Sequence, residues 1–225
     1  MADIERLVLN LHSMGEILVA EPSSDPSDPT RGLFALSSGA HSAFYISGRD
    51  LTGFSRTAPV SIERQRETRD LAIDTLAELA DGHSYNHLYG IPQAATPIAA
   101  MVAHQRGDSL LWGRVGVKDH GLQAPIQGSF EIGDTVAEID NVITAGGSAL
   151  TDAEKLEALG LQVPLLFVLI ERRGGGSRQL HERGDRPPIE VHSAIGEQAM
   201  VEILKASGRI SSAQLELVEK YRLQD

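Results

Sequence analysis

The segment VPLLFVLI (163–170) puts the tightest limit on the fold. A strand with one wet face alternates apolar and polar side chains, whereas this run is apolar almost throughout. It has to be covered on both faces, as a central strand of a parallel sheet is. It is also far short of the ~20 apolar residues that a membrane-spanning helix needs, and no other run in the chain approaches that length. Neighbouring segments extend the pattern. NHLYGI (86–91), SLLWGRV (109–115) and VAEID (136–140) read as strands. Residues 61–80, TPIAAMVAHQ (96–105) and 149–159 read as helices, with Pro97 tolerated in a first helical turn. This βα alternation predicts an α/β fold with a central, mostly parallel sheet flanked by helices.

The two ends of the chain are patterned differently. Ile4, Leu7, Val8, Leu11, Met14 and Leu18 recur at helical spacing and predict an amphipathic first helix. EPSSDPSDPTRG (21–32) reads as a loop, because too few residues precede it to fold alone. LFAL (33–36) and AFYIS (43–47) read as short strands, PIEVHSAI (188–195) as an edge strand, and 197–206 and 211–223 as closing helices. A chain of 225 residues without internal repeats is expected to form one domain over 1–225.

Charge and composition narrow the class of function. A formal net charge of −11 argues against a nucleic-acid partner, which would need a basic face, but not against phosphate ligands held in a local cradle. The absence of cysteine excludes disulfides and thiolate metal sites. The first residues, MADIERLVLNLHSMGEI, carry acids where a signal peptide has a basic segment and an apolar stretch. A cytoplasmic protein with no membrane partner is the expectation.

Residues 136–150, VAEIDNVITAGGSAL, carry the most functional information. A strand ends in the polar pair Asp140-Asn141, passes through Thr144, Ala145, Gly146, Gly147 and Ser148, and reopens as a helix. Free amides at such a turn point at one spot, the helix dipole adds positive potential there, and hydroxyls complete a phosphate cradle. Polar side chains at the strand's end can accept hydrogen bonds from sugar hydroxyls. The arrangement suits a ribose 5-phosphate. A plain strand–turn–helix whose glycines only allow a tight connection reads equally well from this segment alone. No G-x-G-x-x-G dinucleotide fingerprint is present, and no Gly-Lys-Ser/Thr follows the glycines. Four polar or glycine-rich segments, YGIPQAAT, GRVGVKDHG, DNVITAGGS and ERRGGG, follow predicted strands, at the sheet edge where parallel α/β folds bind their ligands.

From about residue 30 to the C-terminus the chain resembles the orotate phosphoribosyltransferases, enzymes of the type-I phosphoribosyltransferase fold. Five segments carry the likeness in the family's order. LFALSSGAHSAFYISGR (33–49) resembles the N-terminal substrate segment, YGIPQAATPIAA (89–100) the pyrophosphate loop, and GRVGVKDHG (113–121) the mobile catalytic loop. EIDNVITAGGS (138–148) resembles the motif for phosphoribosyl pyrophosphate (PRPP), and residues 168–204 the C-terminal strand, base-binding turn and lobe. The resemblance implies a small hood made by residues 1–50 with parts of 171–225, over a core at about 61–170. It also implies transfer of phosphoribose from PRPP to orotate, with Mg2+, in a homodimer that shares loop 114–121 across its interface. The alternatives are a different acceptor base, or a weakly catalytic PRPP- or nucleotide-binding regulator.

Carried over by position, Thr144, Ala145, Gly146, Gly147 and Ser148 would hold the 5′-phosphate, with Asp140 and Asn141 on the ribose hydroxyls. Arg114, Lys118 and His120 would reach the pyrophosphate, with Lys118 as the main catalytic cation and His120 and Asp140 beside it in the chemistry. Arg172 would pair with the orotate carboxylate, as a planar guanidinium can, and Phe44, Tyr45 and Thr144 would lie near the base. No side chain is expected to ligate the metal directly. Each residue also has a structural reading: Lys118 in a solvated loop, Arg172 capping a strand, one of Phe44 and Tyr45 in the core, Trp112 in the core or an interface. Four positions depart from the family pattern: Asn141 for a second acid, Val115 for a cation, Ser37 for a lysine and Ser47 for an aspartate.

Overall fold

The computed structural model describes residues 3–25, 27–28, 30–35, 41–113, 125–172 and 176–221. The chain opens with α1 (Ile4–Met14), followed by the short strands β1 (Ile17–Val19), β2 (Phe34–Ala35), β3 (His41–Ser42) and β4 (Phe44–Ile46) and a 3-10 turn at Arg49–Leu51. The βα succession then begins: α2 (Ile62–Leu79), β5 (His87–Gly90), α3 (Thr96–Arg106), β6 (Ser109–Gly113), β7 (Ile126–Gln127), β8 (Thr135–Ile143), α4 (Gly147–Glu157) and β9 (Gln162–Glu171). It closes with α5 (Gly176–His181), β10 (Glu190–Gly196), α6 (Glu197–Ala206) and α7 (Ser212–Lys220). Among the described residues no helix is long and apolar enough to cross a membrane.

Six strands form one sheet in the order β10-β9-β8-β5-β6-β7, parallel except for β7, which runs against β6. The expected α/β architecture is therefore present. The run 163–170 lies inside β9, and its side chains from Leu165 to Ile170 are all buried, between β8 and β10. One face of the sheet is covered by α1, α2, α3, α6 and α7 through residues such as Leu11, Leu76, Val102, Met200 and Val218. The other is covered by α4 and α5 through Ala149, Ala153, Leu156 and Leu180.

Strand order fixes where a ligand can sit. From β5 the chain moves through α3 to β6 on one side, and from β8 it moves through α4 to β9 on the other. The two strands are neighbours, so the connections leaving their carboxyl ends diverge and open a crevice between them. The loop after β5 and the turn after β8 flank that crevice.

The N-terminal segment differs from its pattern at two points. Leu18 continues the helical spacing of α1, yet Gly15 takes a left-handed φ of 84° and ends the helix, so Leu18 stands exposed in β1, opposite Tyr45. LFAL and AFYIS do not pair with each other: β2 pairs with β3, and β4 pairs with β1, both antiparallel. The helix expected over 211–223 is shorter, with Ser211 as its cap and Gln214 closing a capping box.

Candidate functional site

The turn after β8 leaves the first amides of α4 without a side-chain cap. Gly146 caps α4 with φ 75°, without a side chain bonded to the helix amides and with no acid in the first turn. The first bond inside the helix runs from the Leu150 amide to the Gly146 carbonyl at 2.9 Å. The amides before Leu150, of Gly147, Ser148 and Ala149, thus have no partner from the helix itself, and Gly147 and Ser148 are exposed. With the helix dipole behind them they form a positive spot at the crevice. Thr144 is half-buried and Ala145 exposed on the approach to it.

Close packing holds the turn in shape. A methyl group on Gly146 would lie 2.9 Å from the Gly176 carbonyl oxygen, and one on Gly176 would lie 2.5 Å from the Thr144 carbonyl oxygen. The two backbones therefore touch where a side chain on either would drive them apart, and Gly146 in addition needs its positive φ. Gly176 opens α5, so this contact docks the start of that helix against the turn after β8.

Asp140 and Asn141 project to opposite faces of the sheet, as neighbours in a strand must. Asp140 lies on the α4 side. Its carboxylate accepts the Asn141 amide at 2.8 Å. Burial lifts its pKa to about 7, with Asp152 adding to the rise, against the pull of hydrogen bonds from the Asn141 and Val142 amides. Two residues earlier on the same face is Glu138, which is fully buried and, among the described residues, has no hydrogen-bond partner on either oxygen. Burial, then the nearby Asp152 and Asp140, drives its carboxyl well above the usual range. The strand end thus carries two carboxyls on one face, Glu138 pushed well above the usual range and Asp140 raised to about 7.

Asn141 has a structural task that its place in the motif conceals. It is buried, and its Nδ2 donates to the Ser47 carbonyl. Gly48, with φ 65°, lies so close that a methyl group there would come 2.9 Å from Nδ2. The Ser47 amide in turn bonds the Glu16 carbonyl at 2.9 Å. The amide donor expected on ribose is therefore engaged with the protein's own backbone, where it ties the N-terminal segment to β8.

Arg172 stands next to the turn, since its amide bonds the Ile143 carbonyl at 2.8 Å. Its side chain is not an open cation. Nε meets Glu197 at 2.9 Å in an ion pair whose side chains are each 4% exposed, and Nη2 donates to Ser42 Oγ at 2.7 Å. Ser42 Oγ also accepts the Phe44 amide at 3.0 Å. Arg172 thus caps its strand and pairs with an acid, but inside the protein and not at its surface.

Phe44 belongs to the hydrophobic core, in one cluster with Leu11 and Leu51; Tyr45, 39% exposed and tilted against the Phe34 ring, is the aromatic side chain of β4 left outside. Trp112 is 41% exposed and so is not a core residue. The structure thus gathers Thr144 to Ser148, Asp140, Arg172 and Ser42 around the carboxyl ends of β8 and β9. Arg114, Val115, Lys118 and His120, and Ser37, lie outside the described residues. Glu138, Ser42, Gly176 and Glu197 are the residues that the motifs do not single out. Glu138 alone had a visible signal, an acid inside a strand otherwise apolar up to Asp140.

Known proteins with similar sequences point to one family. No protein-family model matches the chain. The uridine 5′-monophosphate synthase of Bos taurus is 31% identical over 192 residues, 84% of this chain, which spans 37% of that protein's length. The orotate phosphoribosyltransferase of Methanoculleus marisnigri is 31% identical over 153 residues, covering 68% of this chain and 81% of the relative. The solved structure of Leishmania donovani UMP synthase superposes with a TM-score of 0.78 at 23% identity, over 97% of this chain and 42% of that one. The last likeness concerns the fold alone; the identity shared along most of the Methanoculleus marisnigri protein shows that the chain belongs to the orotate phosphoribosyltransferase family.

Proposed function

We propose that this protein transfers the phosphoribosyl group of PRPP to orotate, releasing pyrophosphate and forming orotidine 5′-monophosphate for pyrimidine synthesis. The observation that carries the reading is the uncapped, acid-free first turn of α4, held open at the switch point of the sheet. A ring nitrogen of the base attacks C1 of the ribose as the C1–pyrophosphate bond breaks, through a transition state with oxocarbenium character like that of glycoside chemistry. In this reading Thr144, Ala145, Gly146, Gly147 and Ser148 fix the 5′-phosphate and Asp140 takes a ribose hydroxyl. The base lies toward Thr144, Tyr45 and the Arg172–Ser42 pair. Arg114, Lys118 and His120 come from loop 114–121 to the pyrophosphate, in a homodimer from the partner subunit. The N-terminal 50 residues and parts of 171–225 form the hood over the core. A cytoplasmic location fits this metabolism.

Mg2+ fits as an ion carried by the substrate. Among the described residues no three histidine, aspartate or glutamate side chains cluster as a metal cage. Mg2+ commonly binds substrate phosphates and keeps several waters, so it needs no such cage. Bound to the pyrophosphate, it would neutralise charge on the leaving group.

The test offers purified protein PRPP and Mg2+ with orotate, uracil and the purine bases in turn, following pyrophosphate release. Release with orotate supports the reading. Release only with a purine, or tight PRPP binding without turnover, refutes it in favour of another acceptor or a regulator.

A further inference from the structure

The ion pair at the end of β9 bears on which bases such a transferase accepts. A guanidinium has five N–H groups. Arg172 commits one on Nε to Glu197 at 2.9 Å and one on Nη2 to Ser42 Oγ at 2.7 Å. Those two lie along the side-on edge, where a carboxylate would be gripped by both at once. Neither bond uses the Nη1 end. Glu197 is the first residue of α6, where the helix dipole favours a negative charge. Both side chains are 4% exposed, so water screens the pair little.

The pair as a whole has no net charge. A substrate carboxylate approaching Arg172 meets an acid already seated there, whose repulsion offsets much of the attraction. The carbonyl oxygen of an uncharged base needs only a donor, and the Nη1 end, which no bond among the described residues uses, can supply one. Ser42 supplies a second, because its Oγ accepts from Arg172 and from the Phe44 amide and keeps its own hydrogen to give.

We propose that Glu197 determines the acceptor class by balancing Arg172: the site takes bases through their ring carbonyls and does not require a ring carboxylate. This rests on the transferase reading above and extends it to uncarboxylated pyrimidines. Glu197 acts here through Arg172 and touches no substrate, so it is a positioning residue.

The experiment compares kcat/KM for orotate and uracil, with PRPP and Mg2+, in the wild type and in Glu197→Gln. The amide keeps an oxygen for Nε and removes only the charge. Wild type should favour orotate by less than about 1,000-fold, below the roughly 10,000-fold and more reached by sites that require a polar group. Glu197→Gln should raise the orotate-to-uracil ratio by about tenfold or more, the scale of one charge-assisted hydrogen bond, with KM for PRPP unchanged. A wild-type preference above about 1,000-fold, or a ratio that Glu197→Gln leaves unchanged or lowers, overturns the proposal. If Glu197→Gln does not fold, the wild-type ratio decides alone. If no base gives pyrophosphate, the transferase reading fails by itself. Calorimetry of orotate and uracil on the wild type then decides this inference: comparable affinities uphold it, and a wide preference for orotate or binding of neither overturns it.

Discussion

Replacing Asp140 by Asn should make the protein more stable at pH 8 than at pH 5, relative to wild type. The reason lies in where the carboxyl sits. Burial raises its pKa to about 7 from an ordinary 3.8. Below about pH 4 both the native and the unfolded chain hold the proton, and the group has no effect. Between about 4 and 7 the native state keeps a proton that the unfolded state has lost, so stability falls as pH rises through that window and levels off above it. Three pH units at about 1.36 kcal/mol each give a total of about 4 kcal/mol, and the two units between pH 5 and 7 give about 3. Asn keeps an oxygen for the Asn141 and Val142 amides and does not ionise, so the variant escapes this loss.

Urea unfolding of both proteins at pH 5 and pH 8 measures the difference of differences, in which the titrating groups not coupled to Asp140 cancel. The variant should gain about 3 kcal/mol on the wild type between the two pH values. A gain below about 1 kcal/mol, or a relative loss, would refute the account of the strand end as a place where burial outweighs the two amide bonds. The same shift has a functional side. If Asp140 receives a ribose hydroxyl as an ionised acceptor, wild-type PRPP affinity should rise with pH through about 7, and in Asp140→Asn that dependence should vanish.

Four further outcomes follow from the geometry. Asn141→Asp sets a carboxylate against the Ser47 carbonyl in place of the Nδ2 donor. It should lose about 1–3 kcal/mol in urea unfolding and lower turnover, and a gain in turnover would count against the tie. Gly146→Ala forces a methyl group to 2.9 Å from the Gly176 carbonyl oxygen and strains a φ of 75°, so calorimetry should show at least about tenfold weaker PRPP binding. Arg172→Ala leaves Glu197 buried without its partner and should cost about 3–5 kcal/mol of stability; a loss under about 1 kcal/mol would show the pair to be dispensable. Lys118→Ala should cut turnover far more than PRPP affinity, and equal losses in the two would contradict its assigned role.

The parts of this molecule legible in the sequence are those whose physics is local or periodic. The run in β9 had to be covered on both faces, and β8 and β10 cover it. The glycines after Asp140-Asn141 announced a turn, and the turn opens α4 as expected. Strands of two or three residues, such as β1 and β7, are too short to show a period and pair only because longer elements bring their partners near. Alternation along β8 puts Asp140 and Asn141 on opposite faces, a consequence that their adjacency in the motif hides; only the arrival of Ser47, 94 residues earlier in the chain, shows what the amide does. Arg172 and Glu197 are 25 residues apart, and no spacing rule links the end of one strand to the start of a later helix. Glu138 differs in kind. An acid in a strand buried on both faces costs free energy unless it is paired, and among the described residues neither oxygen has a hydrogen-bond partner. Two residues along on the same face, Asp140 is one of the charges that push the Glu138 carboxyl up, so the two acids of the strand end are coupled across a period that the motif does not display.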